Sequence, residues 1–174
     1  MRLALDRFEV EGIGHNLPFL SAVMDHPKFV KGDMTTAFIA EEYPDGFEGV
    51  ILDEAALKSI AASCAAMNRV AEIRRTKVSG RLDNHERKVG DDWVVTLQGT
   101  SFRVKIDADP KGSDVVFEDG LSLRVSGDWT PGKTLADMTV NGETLVMKIG
   151  KISGGFRVRS RGADLKVHVR TPRQ

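Results

Sequence analysis

The chain has 174 residues, a formal net charge of zero from 25 Lys and Arg against 25 Asp and Glu, and a single cysteine. That length suits one domain, or one domain carrying a piece of another. Charge neutrality argues against a chain built to coat nucleic acid or anionic membrane, and a lone Cys64 excludes an internal disulfide and fits a reducing compartment. Neither a basic-then-apolar leader nor an apolar run of about 18 residues is present, so the expectation is a soluble protein without membrane contact. The neutrality hides an asymmetry: acids outnumber Lys and Arg by 11 to 4 over Met1 to Glu54, whereas eight Lys or Arg stand against Asp164 alone from Lys148 to Gln174.

Residues 1–50 hold short helical patterns such as Leu17, Leu20, Val23 and Met24, punctuated by His26-Pro27, Lys31-Gly32 and Tyr43-Pro44-Asp45-Gly46. The segment has too few core residues to fold alone.

A long helix is expected over 54–75. Asp53 can cap it through backbone N–H groups, Glu54 suits the positive end of its dipole, and Arg69, Arg74 and Arg75 suit the other end. Its middle, Ile60 to Met67, has almost no polar side. A helix apolar all round is one buried on most of its sides, and the small Ala, Ser and Cys side chains let neighbours come close.

From residue 92 to 170 the apolar period changes to two, giving eight candidate strands in four hairpins. Trp93, Val95 and Leu97 face Phe102, Val104 and Ile106 across a turn at Gly99-Thr100. Val115 and Phe117 return through Asp119-Gly120 as Leu121, Leu123 and Val125; Leu135 to Val140 turns at Asn141-Gly142 into Leu145 to Ile149. Phe156 and Val158 turn at Arg161-Gly162 towards Leu165, Val167 and Val169. Strands with one apolar face must bury it, and closure removes their edges, so the fold class expected is α+β: an eight-stranded antiparallel barrel around the helix, preceded by a short helical segment.

Catalytic signals are weak. Gly12-Ile13-Gly14 lacks the third Gly of a dinucleotide fingerprint, and Gly150-Lys151 lacks the upstream Gly and following hydroxyl of a phosphate loop. Asp107-Ala108-Asp109 has no closing Glu for a calcium loop, the four histidines stand far apart, and Cys64 sits mid-helix among apolar neighbours where a thiol is inert. Arg157, Arg159, Arg161, Lys166 and Arg170 could line a basic stripe, but the aromatic platforms of a nucleic-acid reader are missing between them. No catalytic, cofactor-binding or metal residues are therefore assigned in this chain.

The charged connection 77–91, with KVSGRLDNHERKVGD as its sequence, is long for a helix-to-strand link, and such loops often carry function. A mobile surface loop and a recognition loop are both open readings of it.

Phe8 to Phe47, FEVEGIGHNLPFLSAVMDHPKFVKGDMTTAFIAEEYPDGF, resembles the end of a biotin carboxylase domain through Gly12-Ile13 with Asn16, Phe29-Val30-Lys31-Gly32-Asp33 with Thr35-Thr36 and Phe38, and Tyr43-Pro44-Asp45-Gly46-Phe47. These motifs resemble the alpha subunits of propionyl-CoA carboxylases more than those of other acyl-CoA carboxylases. Residues 51–174 resemble, more loosely, the domain that follows there, the biotin-carboxylase-to-carboxyltransferase mediator or BT domain. The resemblance implies a hook in the connection 77–91, with Arg81, Leu82, Asp83, Asn84, His85, Glu86 and Arg87 as its contact tip against a carboxyltransferase beta subunit.

It also implies neighbouring biotin carboxylase and biotin carrier domains, and biotin, ATP and Mg for a parent subunit that is bacterial and cytoplasmic or lies in the mitochondrial matrix. The ATP-grasp machinery would lie before Met1 and the Ala-Met-Lys-Met biotinyl motif after Gln174; Met147-Lys148 is flanked by Val146 and Ile149 and is not that motif. The rival readings are a barrel binding a small apolar ligand, and a hydrolase using His85 with Asp83 or Glu86, for which no nucleophile is evident.

Overall fold

The computed structural model describes residues 1–10, 12–77 and 88–172. Four short helices, α1 (Arg2–Arg7), α2 (Leu17–Asp25), α3 (Pro27–Lys31) and α4 (Phe38–Glu42), precede the long helix α5 (Glu54–Thr76). Eight strands follow: β1 (Asp92–Leu97), β2 (Thr100–Asp109), β3 (Gly112–Phe117), β4 (Ser122–Gly127), β5 (Leu135–Val140), β6 (Glu143–Ile152), β7 (Gly155–Ser160) and β8 (Ala163–Arg170). They form a closed barrel in sequence order, every neighbour antiparallel, and β8 returns to β1 with Val169 opposite Val95.

The α5 start is the one its sequence encodes: Asp53 Oδ1 accepts the Ala56 N–H at 2.8 Å. Eight consecutive residues, Ile60 to Met67, are buried, so the helix has no solvent face there. It lies along the barrel axis against β1 to β5 and β8. Ala61, Ala62, Cys64 and Ala65 are fully covered, and they join Val95, Ile106, Val115, Met147, Val158 and Val167 in one apolar cluster. The polar Ser63 is accommodated because its hydroxyl donates to the Ser59 carbonyl at 2.9 Å.

Two details depart from expectation. The first hairpin turns one residue early, at Gln98 and Gly99, both left-handed at φ 49° and 76°, and Thr100 pairs with Leu97. A two-residue turn with positive φ at both positions matches the twist of the flanking strands, and that preference outweighs the cost of Gln in the left-handed region. Leu121 is 40% exposed rather than inward-facing. It belongs to the turn, where its carbonyl accepts the Phe117 N–H and its own N–H donates to Asp119 Oδ1, so the inward alternation starts with Leu123.

Helix and strands together define two mouths. The turns β1–β2, β3–β4, β5–β6 and β7–β8 ring the mouth where α5 enters, marked by the ion pair of Lys58 with Asp119 at 2.6 Å. The helix exits opposite, where Arg74 donates to the Pro131 carbonyl in the β4–β5 loop and Arg69 pairs with Asp91 at 3.5 Å. Its 23 residues span about 34 Å at about 1.5 Å per residue. Helices α1 and α2 lie against the outer wall of β6 and the β7–β8 turn.

Candidate interaction surface

The seven residues expected at the hook tip, Arg81 to Arg87, lie outside the described residues. What the structure places is where that connection begins and ends. Lys77 closes α5 in a helical conformation, its N–H donating to the Arg74 carbonyl at 3.2 Å. On the return, Val89 packs against the core, Asp91 pairs with Arg69, and the Asp91 carbonyl accepts the Ile106 N–H at 2.9 Å. Trp129 closes this mouth in the β4–β5 loop, edge-on to Phe156 and donating its indole N–H to the Lys133 carbonyl at 3.0 Å. Both roots of the connection are thus fastened to the exit mouth.

The second surface is a joint between residues 1–50 and the barrel wall, which the sequence did not disclose. Val146 is buried on the outward side of β6, apart from the barrel core, because α1 lies over that strand. Arg7 grips Asp137 of β5 with Nε at 3.1 Å and a terminal nitrogen at 2.6 Å, and Lys148 Nζ donates to the Leu5 carbonyl at 3.2 Å. Burial pulls the Lys148 ammonium below its ordinary pKa, with the nearby Asp6 opposing. The Asp6 carboxylate is 5% exposed and takes the Ser21 hydroxyl at 3.2 Å and the Arg161 N–H at 3.1 Å. The unbroken apolar run Leu145, Val146 and Met147, all buried, is the signal that could have flagged a strand covered on both sides.

Several other charged groups are paired, while the ring nitrogens of Trp93 (Nε1) and of His15 and His168 (Nδ1) are buried without a hydrogen-bond partner among the described residues. Arg157 binds Asp164 through two nitrogens, so the basic stripe on β7 and β8 contains its own counterion. Asp109 takes Arg124 and the N–H groups of Lys111 and Gly112, which hold its carboxyl below the ordinary range. Burial pushes the Cys64 thiol up to about 12, so Cys64 is packing and no nucleophile. Among the described residues no three His, Cys, Asp or Glu side chains gather as metal ligands, and no helix is long and apolar enough to cross a membrane.

An open cleft of about 310 Å³ lies at the entry mouth between Glu54, Lys58, Phe102 and Phe117, outside the barrel interior. The interior itself is taken by α5, the space an apolar ligand would need. A barrel threaded by its own helix, with the chain entering at one mouth and leaving at the other, defines the class of fold.

The chain belongs to the propionyl-coenzyme A carboxylase BT domain family, whose model matches residues 60–174. The biotin carboxylase C-terminal domain matches residues 1–41. Over its whole length the chain is 74% identical to the propionyl-CoA carboxylase alpha chain of Ruegeria pomeroyi, 26% of which it covers. It is 28% identical to the mitochondrial propionyl-CoA carboxylase alpha chain of Caenorhabditis briggsae and 28% to that of Mus musculus, with 97% and 98% of this chain aligned and 25% and 24% of the relatives covered. The chain therefore spans about a quarter of the length of the curated relatives it matches.

Proposed function

We propose that this chain is the subunit-interaction module of a propionyl-CoA carboxylase alpha subunit, with residues 1–50 as the end of its biotin carboxylase domain and 51–174 as its BT domain. The observation that carries this reading is the path of α5. The helix runs through the barrel: it enters from residues 1–50, which pack along the outer wall from the β7–β8 turn down to Thr134 before β5, and the roots of the connection 77–91 lie at the exit mouth. A carboxyl group made at one site and used at another needs the two sites held at a workable separation, because effective concentration falls steeply with misplacement. A filled barrel is a stiff spacer for that purpose.

In this reading the parent enzyme carboxylates biotin with ATP and bicarbonate and passes the carboxyl group to propionyl-CoA, giving methylmalonyl-CoA. Among the described residues nothing fits biotin, ATP or Mg: Lys148 is bonded to the Leu5 carbonyl between Met147 and Ile149, Gly150-Lys151 lacks the other residues of a phosphate loop, and no three His, Cys, Asp or Glu side chains gather. Those groups are assigned to other parts of the subunit, and this chain is assigned no chemical step. Its work is to bind the carboxyltransferase beta subunit through Arg81 to Arg87 and to fix the carboxylase and carrier domains beside it. The parent would reside in the cytoplasm of a bacterium or in a mitochondrial matrix.

The test is to replace Leu82, Asp83 and His85 singly by Ala in the full alpha subunit and follow association with the beta subunit by sedimentation velocity. Weakened assembly with an unchanged circular dichroism spectrum is expected. Normal association of all three variants would refute the assignment of the contact.

A further inference from the structure

The Asp6 carboxylate is a charged group set deep in a joint whose other members are neutral donors or partly paired cations. One oxygen takes both the Ser21 hydroxyl of α2 and the Arg161 backbone N–H of the β7–β8 turn, so a single atom ties α1, α2 and the barrel. Arg161 is left-handed at φ 53°, a conformation that turns its N–H towards α1, and Gly162 beside it is left-handed at φ 81°. A Cβ on Gly162 would stand 2.6 Å from the Pro18 carbonyl oxygen and 3.0 Å from Val50 Cγ2, so α2 is seated directly on the turn. Ser160 braces the same turn by donating to the Val146 carbonyl at 2.6 Å. Of the surrounding contacts, Arg7 with Asp137 and Thr134 with Glu9 are exposed and the Lys148 bond to the Leu5 carbonyl is part-buried, whereas the Ser21 bond to Asp6 is buried and directional.

We propose that Asp6 is a positioning residue that fixes the angle between residues 1–50 and the barrel, and with it the distance a carried carboxyl group must cross. The second clause rests on the subunit-interaction reading given above; the first does not. Removing the carboxylate leaves the Arg161 N–H and Ser21 hydroxyl without their shared acceptor, while the barrel keeps its core and the helical segment keeps the ring contacts of Phe19, Tyr43 and Phe47. The two halves then sample a range of angles, and the chemistry at each separate centre is untouched.

The experiment uses the full alpha subunit with its beta partner. Spin labels on Lys31 and Lys105, replaced by Cys in a background where Cys64 and every other labelled cysteine of both subunits is Ser, report the distance between the two halves. The wild-type distribution is expected to be narrow, and Asp6→Ala and Asp6→Asn are expected to broaden it, with Asp6→Glu intermediate. Carboxylation of free biotin and decarboxylation at the beta subunit are expected to stay within about twofold of wild type, while the coupled propionyl-CoA reaction falls about tenfold or more. An unchanged distribution in Asp6→Ala and Asp6→Asn, or half-reactions that fall in step with the coupled rate, would overturn the assignment. If the wild-type complex carboxylates no biotin, the subunit reading fails, and the distance distributions alone decide whether Asp6 fixes the angle.

Discussion

Lys58 on the central helix and Asp119 on the β3–β4 turn meet at 2.6 Å, an ion pair that pins the helix to the rim of the barrel it threads. Lys58 also reaches Glu54 one turn back and lies 5.9 Å from the centre of the Phe117 ring. The Lys58 ammonium holds the Asp119 carboxyl below its ordinary pKa, and the Leu121 N–H adds to that. Conversely Asp119 first, then Glu54, raises Lys58. For the carboxyl, the folded value lies below the unfolded one, so its contribution is complete above the ordinary aspartate range and is lost as pH falls through the depressed value. A carboxyl-carbon NMR titration should find Asp119 titrating lower in wild type than in Lys58→Met. Equal midpoints would show that the pair does not form in solution.

Cys64 offers a second titration with the opposite sense. Its folded thiol is raised to about 12 by burial, above the ordinary thiol value, so folding favours the protonated form and loses that contribution as pH rises from the ordinary thiol range towards about 12. Alkylation at pH 8 should be at least about a hundredfold slower in the native chain than in the unfolded one, with a rate that follows local opening. Rapid alkylation of the native chain would mean that the helix leaves the barrel readily.

Ala62 is fully covered between helix and barrel. Ala62→Leu forces three additional carbons into a space with no slack and should cost about 1–3 kcal/mol, read as a lower urea midpoint at unchanged slope. Val70→Leu, at a site 43% exposed beyond the barrel mouth, should change stability by less than about 0.5 kcal/mol. Similar midpoints for the two would contradict the helix-in-barrel packing.

Gly142 and Gly162 separate backbone conformation from close approach. Both occupy the second position of a two-residue turn, after Asn141 at φ 49° and Arg161 at φ 53°, and their own φ values are 84° and 81°. A Cβ on Gly142 meets nothing within 4 Å, whereas one on Gly162 collides with α2. Each Ala variant should lose about 1 kcal/mol for the left-handed backbone. Gly162→Ala should lose a further ~1 kcal/mol or more from overpacking. Equal losses, measured by urea unfolding, would place α2 away from the turn.

Local chemistry made the barrel and its helix legible in the sequence. Asp53 caps, the Asn141-Gly142 and Arg161-Gly162 pairs turn, and the period-two runs bury one face, all through contacts between near neighbours. The joint was not legible for the converse reason. Asp6 and Arg161 are 155 residues apart, and nothing around Asp6 distinguishes it from any other acid in an acidic segment. Val146 carried a faint signal, an apolar residue where the alternation called for a polar one, and its cause was a covering helix. The tip expected at Arg81 to Arg87 drew on family resemblance, because a charged run without periodicity does not specify contacts.

The proposed attachment of residues 77–91 to a carboxyltransferase subunit is tested most directly by binding of this chain to that subunit with and without them. Sedimentation velocity of the 174-residue chain mixed with the beta subunit should show a complex, and replacing residues 78–87 by a Gly-Ser linker of equal length should abolish it while the barrel's thermal transition is retained. A complex that persists with the linker in place would rule out attachment through this connection.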